Sequence, residues 1–583
     1  MLFILLGAVS IAFHLGLIFS GLVPNLIARP LHLILALPWV FLFAAKSKRD
    51  LITGALFAAI GTGCSLFIVL NEEALSDQYG SLEGEWQIAM ALALLLTVLE
   101  MARRAIGWPL PCVALLSLLY GLFGELLPGE FGHPGLPVES FLGTLTIAEG
   151  GIWGSLTGIS VNIVAVFVIM GAVLNAGEAG QGFMNLASAA AGRLSGGAAK
   201  VSVLSSAFFG SISGSASANV ASTGAITLPA MRRLGYPPAL AGAVEAVASS
   251  GGQIMPPLMG AGAFVMVELT GVPYTEIITA ALLPALLYFA AVWFGINAFA
   301  ERHTLASVSE EDRPDRKTVL ITVAFFAVPF AILLERMFVA GFTPQYAASV
   351  AILSGFVMLL WDAKLSFPLR RFLKRVETVA IESGRQIALI ASIIVCASIV
   401  IGVLGQTGLG VKITSLIVSA SGDQLWPALL LTAAACLILG MEVPTTAAYV
   451  ICISVAGPAL QQFGLAPLQA HLFVFWFALL STITPPVCGA VFIAAGMVEE
   501  NWLKVAGRAM LLGIGLYLIP LAMIASPALI ELREAPLTAL LVMVKVGLGL
   551  AAISHGVIGK RAIWVRCVLA VAGLALILYP ISL

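Results

Sequence analysis

The sequence predicts an all-α integral membrane protein organised as an inverted repeat, and three observations carry that prediction. The 583 residues are 60% hydrophobic and only 10% charged, with a mean hydropathy of +1.05, values that exclude a soluble globular or a disordered chain. Two polar stretches rich in Gly, Ser, Thr and Pro, residues 208–223 and 440–449, sit inside otherwise apolar sequence. The pattern Ile-x-Pro-Pro-x-x-Gly-Ala occurs twice, at 254–261 and 483–490, a similar distance beyond each stretch: 42 residues from Gly214 to Pro256 and 45 from Gly440 to Pro485.

Composition narrows the function. A net charge of −1 gives no footing for nucleic acid. The seven cysteines form no CxxC pair and the six histidines no helical pair, so neither a metal centre nor a redox motif is expected. The first apolar segment lacks a basic lead and an AxA cleavage site, which makes it a retained span.

Taken in order, residues 1–22, 31–45, 51–70, 86–100 and 106–127 read as five spans. Lys46, Lys48, Arg49, Arg103 and Arg104 follow the second and fourth, whereas the 71–85 loop holds five acids and no base. Positive charge favours the cytoplasm, so the N-terminus is expected inside and the acidic loop outside. An interfacial arm around 141–152 and a span at 161–174 lead back to the cytoplasm. There Lys200 precedes, and Arg232 and Arg233 follow, two apolar arms of about half a span each, 201–209 and 220–231. Short arms with both mouths on one side make a re-entrant hairpin with its tip near the membrane middle. Backbone that is not helical at that depth must be buried in protein or line a polar cavity. Close helix packing explains small residues, but not a cluster as polar as Ser211, Ser213, Ser215, Ser217 and Asn219.

The run 238–269 reads as a helix broken at 249–260, where Pro256 and Pro257 remove two backbone donors and Gly251 and Gly252 add freedom. After a span at 276–299, residues 301–317, with nine charges, form a linker between two halves. Spans at 318–334 and 346–360, an amphipathic arm at 364–375 and a span at 387–404 follow. A second hairpin has arms 413–439 and 450–460, and a second broken helix, 472–498, is interrupted at 481–490. Residues 510–525, 537–553 and 563–581 are the last expected spans.

Two like units in opposite orientation are the signature of a secondary transporter that binds ions and substrate at the midplane, between discontinuous helices. Unwound carbonyls and Ser, Thr and Asn oxygens suit a hard cation such as sodium. Helix N-termini at the same breaks suit an anion. The sodium candidates are Ser213, Ser217 and Asn219 at the first tip, with Ser249, Ser250 and Gly251 opposite; in the second half they are Gly440, Thr445 and Thr446, with Thr482 and Thr484. The substrate candidates are Gly214, Ser215, Gln253, Pro256, Glu442 and Pro485. Glu245 and Glu268 are further acids in apolar sequence, where ionisable groups mark pathways by default. No Walker motif is present.

At 205–231, 235–264, 440–450 and 481–487 the chain resembles a TRAP (tripartite ATP-independent periplasmic) transporter, in particular the fused membrane permease of the TAXI subtype. The runs that carry this are SSAFFGSISGSASANVASTGAITLPAM, GYPPALAGAVEAVASSGGQIMPPLMGAGAF, GMEVPTTAAYV and STITPPV. The resemblance is strong over 150–526. It implies residues 1–130 as small-subunit-like scaffold spans and 131–530 as the large-subunit transport region, with repeats at 150–300 and 318–530; residues 531–583 are an extension. It also implies a multi-pass protein of the bacterial inner membrane that imports an organic acid with sodium as coupling ion. An elevator mechanism, a TAXI-type periplasmic binding protein as partner, and no organic cofactor or enzymatic activity complete that expectation. A stand-alone sodium–dicarboxylate symporter, which needs no binding protein, is the rival reading.

Overall fold

A computed structural model describes residues 1–580 except Thr304, Ala306, Asp312, Pro368, Asp423, Glu442 and Val443. The described residues form helices joined by short turns. Among the described residues nine helices are long and apolar enough to cross a membrane, or ten if one bent pair counts as a span.

The N-terminal helices are α1 (Leu2–Phe19), α2 (Asn25–Pro38), α3 (Lys48–Leu70), the short α4 (Glu72–Ser76), α5 (Gly84–Ile106) and α6 (Pro109–Phe123). α5 runs six residues past the expected end of its span. Glu100 accepts from Arg103 (2.6 Å) and Arg104 (2.7 Å) one turn on, and Arg104 also pairs with Asp50, so these charges are matched inside the helix bundle. Of the arm expected at 141–152 only the first half is helical, in α7 (Val138–Thr146), and α8 (Ser155–Ile159) and α9 (Ala165–Ala176) flank a π-helical turn at Ser160–Val164.

α10 (Ala179–Ala191) leads into the first hairpin, α11 (Gly197–Ser213) and α12 (Ala216–Arg233). The tip is narrower than expected. Gly214, at φ +62°, closes α11, and the Ser215 hydroxyl accepts from the Ala218 amide to cap α12. Two residues therefore suffice for the turn, and Ser211, Ser213, Ser217 and Asn219 belong to helices. α13 (Pro238–Gly251) continues as a 3-10 turn to Ile254; the chain is then non-helical until α14 (Gly260–Thr270). Gly251 and Gly252 are helical, with Gly252 at φ −58°, so the freedom expected of them is not used. What they provide is closeness: a Cβ on Gly251 would lie 2.3 Å from the Tyr288 ring, and one on Gly252 2.3 Å from Gly210 Cα.

α15 (Tyr274–His303) and α16 (Arg316–Leu334) trim the expected linker from both ends, and α17 (Pro344–Met358) follows. The arm at 364–375 and the span at 387–404 are one 39-residue helix, α18 (Leu369–Thr407). At 1.5 Å per residue it is about 58 Å long. It packs against α1, α2, α5, α6 and α9, and is the beam on which the N-terminal helices are assembled.

The arm expected at 413–439 is two helices, α19 (Leu409–Ala420) and α20 (Leu425–Leu439), parted by a turn with Gly422 at φ +61°. α20 and α21 (Thr445–Gln462) make the second hairpin, so Thr445 and Thr446 open a helix rather than lie in a loop. α22 (Pro467–Leu480) breaks off before α23 (Gly489–Val498). The expected span 510–525 is bent by 63° between α24 (Trp502–Leu512) and a 3-10 turn leading to α25 (Ile519–Ala525). α26 (Pro536–Ile558) and α27 (Ile563–Leu578) pack on each other, and α26 lies along α15.

The two copies of the sequence pattern produce the same local structure. Both helices restart at its glycine, Gly260 and Gly489, and both Pro-Pro bonds, Pro256–Pro257 and Pro485–Pro486, are cis. The copies then interlock: α23 packs on α12 and α13 of the first repeat, and α14 packs on α21 and α22 of the second.

Candidate functional site

The interlock brings both tips and both breaks to one cavity of about 390 Å³. The first hairpin contributes Ser213, Gly214, Ser215 and Ser217, and the second contributes Gly440, Thr445 and Thr446. Gln253 and Gly260 come from the first break; Ser481, Thr482 and Gly489 come from the second. The remaining wall is apolar. It is made by Phe167 and Val168 of α9, Ile106 of α5, and Leu389, Ile390 and Ile393 of α18, joined by Ile212, Leu258, Phe264 and Val487 of the hairpins and broken helices; Gln386 of α18 also lines it.

Close backbone approach builds the polar half. Gly210 meets Gly252, where a Cβ would lie 2.4 Å from the facing Cα, and a Cβ on Gly214 would lie 3.1 Å from Gly260 Cα. In the second repeat Ser481 Oγ donates to the Gly440 carbonyl (3.0 Å). The two breaks touch directly through Ser250 Oγ and Thr482 Oγ1, 2.9 Å apart. Each of these hydroxyls also contacts a carbonyl of its own helix, Ala246 at 2.8 Å and Leu479 at 2.7 Å. Two protons cannot serve three contacts. With both protons on the carbonyls, only lone pairs face each other between the breaks.

Four helices begin at the cavity: α12 beyond Ser215, α14 at Gly260, α21 at Thr445 and α23 at Gly489. Their first-turn N–H groups and positive dipole ends favour negative charge. The ends of α11 at Ser213, α20 at Gly440 and α22 at Ser481 bring carbonyl ends to the same wall.

The other sequence candidates take different places. Asn219 is fully buried behind the first tip; its amide donates to the carbonyls of Ser206 (2.9 Å) and Ser249 (3.2 Å), tying both hairpin arms to α13. Ser249 points at Glu245, and Gly251 packs on Tyr288. Thr484 binds the Leu480 carbonyl and the Tyr517 hydroxyl, each at 2.7 Å. Pro256 and Pro485 lie in the breaks outside the lining residues. Glu442 lies outside the described residues.

One feature carries no signal in the sequence, and a second, flagged there as a buried acid, does not show its partners. Leu389, Ile390 and Ile393 look like any lipid-facing residues of a span. Glu245 is wholly buried and accepts from Ser202 (2.8 Å), Ser249 (3.2 Å), Ser206 (3.5 Å), Thr223 and Thr227, so hydroxyls from α11, α12 and its own α13 converge on one carboxyl. A spacing of one turn or more on separate helices hides such a cluster until the helices are assembled.

The N-terminal helices are tied to the rest by polar contacts. His14 Nε2 meets His32 Nδ1 at 2.7 Å, and His32 Nε2 meets Ser160 Oγ at 3.0 Å. Arg29 binds the Trp153 carbonyl and Glu149, and Lys412 donates to the Gly132 carbonyl (2.5 Å).

Comparison with known proteins identifies a family and several relatives. The family described as "Tripartite ATP-independent periplasmic transporter, DctM component" matches residues 93–537. The C4-dicarboxylate TRAP transporter large permease protein DctM of Pseudomonas aeruginosa is 26% identical over 337 residues, 57% of this chain and 76% of that one. The isethionate TRAP transporter permease protein DctMQ of Oleidesulfovibrio alaskensis is 24% identical over 426 residues, 69% of this chain and 65% of that one. The solved YdaH transporter of Alcanivorax borkumensis superposes with a TM-score of 0.48 at 17% identity, covering 76% of this chain and 98% of that one. These relatives and the membrane-crossing helices place the chain in the inner membrane as a multi-pass protein. With its match spanning both hairpins and both breaks, the chain belongs to the DctM family, the large-permease component of tripartite ATP-independent periplasmic transporters.

Proposed function

We propose that this permease imports an organic acid together with sodium, taking the acid from a periplasmic binding protein of the TAXI type. One observation carries the reading: both tips and both breaks meet at a single cavity, where four helix N-termini lie beside hydroxyl and carbonyl oxygens. N-termini attract a carboxylate and hard oxygens attract a small cation, so each load lowers the other's charge. The Ser250–Thr482 oxygen pair is one sodium ligand set; Ser213, Ser217, Gly440, Thr445 and Thr446 furnish others at the tips. The movement fits an elevator: the hairpins and broken helices form one interlocked body, and its cavity faces the α9 and α18 wall. Carriage past that wall would deliver the load.

Uptake by the purified protein in proteoliposomes, with its binding protein outside, tests the proposal. Accumulation should require an inward sodium gradient. Equal uptake under a proton gradient without sodium would refute sodium coupling. Equal uptake of free acid without the binding protein would favour the stand-alone symporter instead.

A further inference from the structure

We infer that the transported acid is a monocarboxylate with an apolar body, not a dicarboxylate. This rests on the carboxylate reading above and deepens it. Among the described residues that line the cavity there is no Arg, Lys or His. An anion there is held by helix N-termini, neutral hydroxyls and any accompanying cation. All of these belong to the tips and breaks. Gln253, from the first break, is nine-tenths buried, and its Oε1 has no hydrogen-bond partner. That orphaned acceptor fits a cation or a ligand hydroxyl on the polar side.

The opposite wall differs in kind. Phe167, Val168, Leu389, Ile390 and Ile393 present carbon only, and Gln386 is the one polar side chain among the α18 residues that line it. A second carboxylate reaching this wall would be a buried charge with no cation and, apart from the Gln386 amide, no side-chain hydrogen-bond donor, a costly arrangement in a dry site. A hydrocarbon chain or ring reaching the same wall leaves water for an apolar surface and gains from the transfer. The cavity volume of about 390 Å³ leaves room for such a body beyond the carboxylate. The division is also mechanical: every polar lining side chain except Gln386 belongs to the interlocked hairpins and breaks, which add Ile212, Leu258, Phe264 and Val487, whereas α5, α9 and α18 otherwise present carbon. A ligand whose far end is apolar makes no hydrogen bond across that boundary, and none has to break when the two surfaces slide.

The test is thermal unfolding of the full-length protein in detergent with saturating sodium chloride. The probes are straight and branched monoacids of four to eight carbons, including hexanoate and 4-methyl-2-oxopentanoate, against succinate and glutarate. At least one monoacid should raise the unfolding midpoint at a concentration ~10-fold or more below any diacid, the discrimination expected when a second charge is left unpaired. The amide of the best monoacid should give no shift. In Ile390→Arg, which sets a guanidinium in the apolar wall, the preference should turn toward succinate. The wild-type series decides the matter even if that variant does not fold. A diacid that stabilises as well as any monoacid would overturn the inference and leave carboxylate transport standing. If no acid of either class shifts the midpoint, both fall together.

Discussion

Ser217 and Thr446 stand at the two tips, and neither hydroxyl has a hydrogen-bond partner among the described residues, although both line the cavity. A free hydroxyl on a site wall is available to a ligand, whereas Asn219 and Thr484 are committed to other contacts. Thr446→Ala should therefore weaken sodium activation about tenfold, the effect of one lost ligand at ~1–3 kcal/mol. Asn219→Ala should instead lower the unfolding midpoint, because it cuts the clamp on Ser206 and Ser249. Glu245 separates from both. A glutamine there keeps one acceptor oxygen and turns an amide N–H₂ toward hydroxyls now placed to donate, so Glu245→Gln should destabilise the protein by ~1–3 kcal/mol per donor left unpaired; thermal unfolding in detergent reads it. Outside the membrane, the hydroxyl and amide of Ser366, the Lys364 amide and Arg371 hold the Asp362 carboxyl down to about 2. A depressed carboxylate stabilises above its unfolded value of about 3.9 and loses that contribution as pH falls through its folded value. The turn between α17 and α18 should thus resist limited proteolysis unchanged from pH 8 to pH 5 in wild type, and lose that resistance in Asp362→Asn.

At the scale of the element, hairpins and broken helices were legible in the sequence because their determinants are local. Gly214 supplies a positive φ, Ser215 an N-cap, and Pro256 and Pro485 missing donors. Arm lengths were less legible. The 413–439 run is apolar throughout, and only the turn around Gly422 divides it. Basic residues at the start of α18 read as an arm at the membrane surface, yet the helix continues unbroken through Gly384 because no proline intervenes between Leu369 and Thr407. The apolar wall of the cavity was not legible at all, since Ile390 facing the cavity and an Ile facing lipid have the same sequence signature. The tip turn can be tested by itself. Gly214→Val adds a β-branched side chain at φ +62°, and its Cβ would lie 3.1 Å from Gly260 Cα. Left-handed backbone costs an L-residue ~1–2 kcal/mol. Uptake should fall together with the unfolding midpoint in Gly214→Val; an unchanged midpoint would mean that the turn tolerates a side chain there.

The whole molecule is an interlocked pair of repeats held by a long beam, with accessory helices at both ends. α26 lies along α15, which itself packs on α11, α13 and α14, so the C-terminal pair is attached to the hairpin body. By the positive-inside rule the acidic loop and the 301–317 linker are expected on opposite sides. Single cysteines at Ser76 and Lys317, in a background without the native cysteines, should label from opposite faces; labelling of both from the periplasm would undo the inverted arrangement. The central claim, that the two tips and two breaks make one sodium-coupled site, is tested most directly by uptake against sodium concentration in wild type and Thr446→Ala, at equal protein. Because ion and substrate binding are linked, the variant should show a sodium half-saturation raised about tenfold, with its substrate affinity restored in part at high sodium. An unchanged half-saturation, or uptake indifferent to sodium in both proteins, would contradict it.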